Sequence, residues 1–145
     1  QVQRSLASMQ IRYEQQAKSA LTLLAWLKQQ KQFAQVLHPA DPDAAGHQFW
    51  QEVCQTQKSA GLVSVIFNDH YDLTDIRKFC DNLNLFKLGF SWGGPVSLVM
   101  LYDLKQMREL ENTHLQQGLL VRFCIGLEHP QDLIQDIQNA LKQLE

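Results

Sequence analysis

One charged side chain inside an apolar run constrains this chain more than any other feature. Leu119–Gly126 reads Leu-Leu-Val-Arg-Phe-Cys-Ile-Gly. Its β-branched, aromatic and aliphatic residues, closed by a glycine, predict a strand. Strand alternation places Leu119, Val121, Phe123 and Ile125 on one face and Leu120, Arg122 and Cys124 on the other. Arg122 is the exception to the pattern, because a guanidinium is permanently charged and is rarely buried without a partner. Its fork suits a carboxylate or phosphate held by two parallel hydrogen bonds. From the strand alone, two plainer readings stay open: an edge-strand arginine pointing into water, and one paired with a structural Asp or Glu.

The rest of the chain supplies a domain around that strand. At 145 residues, 45% hydrophobic and 19% charged, it fits one globular domain of ordinary size. A net charge of −2 offers no electrostatic footprint for nucleic acid or an anionic membrane. No apolar run approaches the ~20 residues of a membrane span, and Gln1–Gln10 has no signal-peptide core. Cys54, Cys80 and Cys124 form neither a disulfide framework nor a metal motif. They favour a reducing compartment, and a cytoplasmic location is expected. The chain opens within a helical pattern, without a cap or an initiator methionine, so an excerpt of a longer protein is expected.

Apolar residues recur at helical spacing from Arg4 to Gln30. Leu6, Met9, Tyr13, Ala17, Ala20, Leu21, Leu24 and Leu27 predict one long helix of roughly 25 residues. Phe33–His38 reads as a short strand ended by Pro39. His47–Gln55 suggests one or two helical turns. Ala60–Phe67 is apolar on both faces and predicts a central strand. Thr74 resembles an N-cap for a helix over Asp75–Leu83. Phe86–Ser91 and Val96–Tyr102 read as strands flanking the tight Trp92-Gly93-Gly94-Pro95 loop. A helical pattern covers Leu104–Glu111. Pro130 stands at the start of a closing helix with Leu133, Ile134, Ile137, Leu141 and Leu144 on its apolar face. The order predicts an α+β domain, a small sheet with helices on one side.

The motifs exclude several chemistries. His38, His47, His70, His114 and His129 lack metal-ligand spacing, and no metal site is expected. No Gly-x-Ser-x-Gly elbow supports a hydrolytic triad. Gly93-Gly94 lacks the strand–loop–helix setting of a phosphate loop. Ser91-Trp92-Gly93-Gly94, however, offers a hydroxyl, backbone N–H groups and an aromatic edge. Beside Arg122, that loop would make a pocket for a small carboxylate, such as that of an amino acid.

Three motifs in order carry a resemblance that covers nearly the whole chain. They are Phe90-Ser91-Trp92-Gly93-Gly94-Pro95-Val96-Ser97-Leu98, then Gly118–Glu128 around Arg122, then Asp132-Leu133-Ile134-Gln135-Asp136. Together they resemble the C-terminal end of the pyridoxal-phosphate (PLP)-dependent Cys/Met-metabolism enzymes. Ser-Trp-Gly-Gly is more similar to the cystathionine β-lyase branch than to the γ-synthase and γ-lyase branches, as are Val36-Leu37-His38-Pro39 and Gly46-His47-Gln48-Phe49-Trp50.

The resemblance implies a fold-type-I small C-terminal domain over residues 1–145: a connector helix at 1–30, an α/β sandwich at 33–145, a mostly antiparallel sheet, and no large PLP-binding domain. It implies that Arg122 binds the substrate α-carboxylate and that Ser91 and Trp92 line the same pocket. The activity implied is a carbon–sulfur lyase of methionine biosynthesis and transsulfuration acting on a sulfur amino acid. Pyridoxal 5′-phosphate would be the cofactor of the full-length enzyme, which would be a homo-oligomer.

Some family residues are missing. No lysine from Lys18 to Lys142 stands in the family's Schiff-base context. The resemblance therefore implies no catalytic or cofactor-binding residue here, no cofactor bound to the fragment, and an inactive isolated chain. Val96 replaces a usual Glu, and Arg4-Ser5-Leu6-Ala7-Ser8-Met9 keeps only the Arg and Leu of Arg-Gly-Leu-Arg-Thr-Leu. These departures raise an alternative, a non-catalytic binding or dimerisation module retaining the family fold.

Overall fold

A computed structural model describes residues 5–54, 58–107, 115 and 118–144. The strand bearing Arg122, β5 (Leu119–Cys124), lies at the centre of its sheet. On one side are β2 (Leu62–Phe67) and then β1 (Phe33–Leu37); on the other are β4 (Leu98–Asp103) and then β3 (Lys87–Leu88). Among the described residues, β1–β2, β2–β5 and β5–β4 are antiparallel, and β3–β4 is parallel. The mixed α+β architecture with a mostly antiparallel sheet is the one expected from sequence.

Helices α1 (Met9–Leu27), α3 (Leu73–Asp81) and α5 (Pro130–Leu141) cover one face. Their buried residues, among them Ala20, Leu23, Ile76, Phe79, Leu133 and Ile137, close on Val63, Val65, Phe67, Val99, Val121 and Phe123. Edge-on aromatic contacts run through this core, from Phe67 to Phe79 at 5.3 Å and from Phe123 to Phe86 at 5.1 Å between ring centroids. The alternation read from sequence for β5 matches: Val121 and Phe123 are buried, while Leu120 and Arg122 are half-buried on the other face. Across that open face Arg122 stands between Ser64 of β2 and Met100 of β4.

Several boundaries differ from the sequence reading. The first helix is regular over 19 residues. Ala17, Ala20, Leu24 and Leu27 of the expected stripe are buried, but Leu6, Met9, Tyr13 and Leu21 are exposed. The C-terminal half of α1 packs on the sheet, and Gln16, Ser19 and Leu23 share its buried face. The cap of α3 is Asp72 rather than Thr74. Its carboxylate accepts from the N–H groups of Thr74 at 2.7 Å and Asp75 at 2.9 Å, and Asp75 accepts from the Asp72 N–H at 3.1 Å. This reciprocal box satisfies donors that a lone threonine hydroxyl would leave open.

The expected strand Phe86–Ser91 reduces to Lys87–Leu88 at the sheet edge. Helix α2 (His47–Val53) buries no side chain, and Gln55 lies outside the described residues. Helix α4 (Leu104–Met107) is the described part of the pattern over Leu104–Glu111; Arg108–Glu111, His114 and Arg4 lie outside it. Pro130 occupies the first turn of α5 as expected, with the His129 ring accepting from the Gln131 N–H at 3.3 Å. Among the described residues, no helix is long and apolar enough to cross a membrane.

Candidate functional site

The Arg122 guanidinium reaches along the open sheet face to the loop that follows β3. Its Nη2 donates to the Phe90 carbonyl at 2.8 Å. Phe90 immediately precedes Ser91 and Trp92, so the guanidinium is bonded to the loop that carries both. No Asp or Glu among the described residues pairs with Arg122. The Tyr102 ring lies 5.7 Å from the guanidinium carbon, within cation–π range. Arg122 Nε is buried and has no hydrogen-bond partner. The fork is thus aimed by one carbonyl and an aromatic face, with a second donor direction unused.

Ser91 and Trp92 are both exposed, Trp92 at 65%. They follow directly on Phe90, whose carbonyl accepts from the guanidinium. A cleft of about 720 Å³ lies elsewhere, beside β1, lined in part by Phe33, His38, Asp41 and Ser64, and includes none of the three.

The loop is laid along the end of β5 at regular intervals. Phe90 meets Arg122 near the strand's end. Gly93 adopts φ +73°, a conformation glycine takes without cost. The Leu127 N–H donates to the Pro95 carbonyl at 2.8 Å, and the Gly126 N–H to Ser97 Oγ at 2.8 Å. The Glu128 carboxylate accepts from the Ser97 N–H and from Ser97 Oγ, both at 2.8 Å. Gln16 of α1 donates to the Gly94 carbonyl at 2.7 Å. A Cβ at Gly126 would lie 2.5 Å from the Pro95 carbonyl and 2.6 Å from the Ser97 N–H, so this approach requires glycine.

Sequence reasoning named the ends of this arrangement and missed its fastenings. Ser97 and Glu128 stood inside the quoted motifs but carried no assigned role. The available signal was a polar residue, Ser97, directly before an apolar strand and fully buried in the fold. Gln16 gave no signal, since its neighbours Gln10 and Gln15 are exposed.

Electrostatics restrict the chemistry of the corner. Burial pushes the Cys124 thiol up, against the Gly93 N–H and the Arg122 charge, which favour the thiolate. Burial pushes Cys80 to about 12. Neither is poised as a nucleophile at neutral pH. Among the described residues no group of three or more His, Cys, Asp and Glu could hold a metal.

The lysines do not fit a covalent pyridoxal phosphate link. Lys28 is held by Asp41 at 2.6 Å and Asp43 at 2.7 Å, and these bonds raise its pKa, the opposite of what imine formation needs. Lys58 pairs with Glu14 at 2.9 Å. Lys18, Lys31, Lys78, Lys87, Lys105 and Lys142 are exposed.

Comparison with known proteins shows which family the chain belongs to. The profile of the Cys/Met metabolism PLP-dependent enzymes matches residues 1–142. Cystathionine beta-lyase of Salmonella typhimurium is 35% identical over 143 residues, which are 97% of this chain and 36% of the relative. Cystathionine beta-lyase of Bordetella avium is 36% identical over 138 residues, 95% of this chain and 34% of the relative. The crystal structure of metB from Corynebacterium glutamicum superposes with a TM-score of 0.75 at 28% identity, over 98% of this chain and 36% of that one. The chain spans about a third of the length of these proteins, and its fold matches a small domain of fold-type-I PLP enzymes. By profile, identity and fold, this chain belongs to the Cys/Met metabolism PLP-dependent enzyme family.

Proposed function

We propose that this chain is the C-terminal, substrate-carboxylate-binding domain of a PLP-dependent carbon–sulfur lyase of the cystathionine beta-lyase type. Residues 1–30 act as the connector and 33–145 as the α/β sandwich. A large domain of the longer protein supplies the cofactor site, because the lysines here do not fit it. Bound there, pyridoxal phosphate provides the electron sink for breaking bonds at an amino acid's α-carbon. This chain's part is to hold and orient the amino acid.

The observation that carries the reading is the aimed but incompletely used Arg122 fork. An unpaired buried N–H costs about 1–3 kcal/mol, and a carboxylate accepting from the fork would recover it. Ser91 and Trp92 line the approach. The relatives' names point the same way. They include cystathionine beta-lyases and an L-alanine/L-glutamate racemase of Wolbachia pipientis, 28% identical over 141 residues. Their reactions differ, but each named compound is an amino acid with an α-carboxylate, the group Arg122 would recognise. Three free cysteines, two of them buried, suit a cytoplasmic enzyme.

In the full-length protein, Arg122→Ala is expected to lower kcat/KM for cystathionine by on the order of a hundredfold, as for other hydrogen-bonded charge pairs. An unchanged kcat/KM would remove Arg122 from the site.

A further inference from the structure

The segment 90–97 is gripped at both ends by β5 and its extension. At one end the Phe90 carbonyl accepts from Arg122. At the other, both oxygens of Glu128 are occupied by Ser97, whose hydroxyl in turn accepts from the Gly126 N–H. Arg122 lies on β5 and Glu128 six residues on, just past the strand's end at Cys124, so the fork and the clamp are joined by a short piece of chain. The bond that aims Arg122 comes from the loop, and the loop's far end is fixed by Glu128. Ser97 is fully buried, and its backbone and hydroxyl both point to that carboxylate. Loss of the carboxylate would leave the buried Ser97 N–H without its acceptor and loosen a loop end that the Lys87 N–H on the Ser97 carbonyl and the Leu127 N–H on the Pro95 carbonyl still hold. The Phe90 carbonyl would then be held less firmly against the guanidinium.

We propose that Glu128, acting through Ser97, is a positioning residue that sets the direction of the Arg122 fork toward the substrate carboxylate. This rests on the carboxylate reading of Arg122. Glu128 touches no substrate; its effect passes through the loop. A site residue held a fraction of an ångström out of place loses binding and rate even when its chemistry is intact.

The test is a double-mutant cycle in the full-length protein with Glu128→Ala, Arg122→Ala and the pair, reading KM and kcat separately, with a thermal melt of each. Glu128→Ala is expected to raise KM for the amino-acid substrate about tenfold and to change kcat much less. In the Arg122→Ala background the same substitution should raise KM no further. Glu128→Gln, which keeps one acceptor for the Ser97 N–H, should give an intermediate KM and covers the case that the alanine variant does not fold. An unchanged KM in a folded Glu128→Gln or Glu128→Ala protein overturns the proposal. So does an equal KM increase with and without Arg122, or a fall in kcat alone. If Arg122→Ala itself leaves KM unchanged, the carboxylate reading fails first, and the positioning role fails with it.

Discussion

His38 is 3% exposed, and its Nδ1 accepts from the Ala40 N–H at 3.1 Å. Burial lowers its pKa below the ordinary 6.5. In the unfolded chain the ring protonates near 6.5, whereas in the folded chain it stays neutral to lower pH. Protons therefore bind the unfolded state preferentially as pH falls through 6.5 toward the folded value, and stability is lost over that window. Above it both states are neutral and His38 adds no slope. Urea denaturation between about pH 7.5 and pH 5.5 should show a declining midpoint that His38→Gln flattens; equal slopes in the two proteins would contradict this. Arg122 was readable at the same scale because a permanent charge in an apolar strand needs an explanation whatever the fold. His38 was not, because a histidine before a proline reads the same whether it lies in solvent or under a loop.

At the scale of elements, the sheet edge is fixed by a side chain from a distant helix. Asp136 of α5 is buried, and its carboxylate accepts from the N–H groups of Asn84 at 2.9 Å and Leu85 at 2.8 Å. These bonds deliver the chain into β3. Asp136→Ala leaves those part-buried donors without their acceptor, and should lower unfolding free energy by roughly 1–3 kcal/mol in urea titrations. A loss under about 0.5 kcal/mol, the size of an ordinary surface change, would mean the edge holds without it. The apolar strands β2, β4 and β5 were legible from sequence, as was Pro130 opening α5. The extent of β3 was not, because Phe86–Ser91 has strand composition throughout, whereas the bonds to β4 end with the Gly89 N–H on the Val99 carbonyl and the next carbonyl, of Phe90, turns to Arg122. The cap of α3 was misread by two residues because Asp72 and Asp75 complete a box that Thr74 cannot.

For the whole molecule, helices cover one sheet face and leave the other to Ser64, Met100, Leu120 and Arg122, all half-buried. Leu6, Met9 and Ile11 on the N-terminal segment and Phe90 and Trp92 on the loop are exposed. Apolar area of this kind marks an interaction surface. The isolated chain is therefore expected to self-associate, with light scattering giving a mass above 16.7 kDa that rises with concentration. A constant monomer mass at high concentration would count against it. The core on the helix-covered face was legible in part from periodicity, which named Ala17, Ala20, Leu24 and Leu27 but also the exposed Leu6, Met9, Tyr13 and Leu21. The joining of loop 90–97 to β5 was not, since it depends on contacts between segments about thirty residues apart. The account is tested most directly by comparing an amino-acid substrate with its carboxamide in the full-length protein and in Arg122→Ala. The intact fork should favour the carboxylate by on the order of a hundredfold in kcat/KM, and the alanine variant should lose that preference. The same preference in both proteins would contradict it.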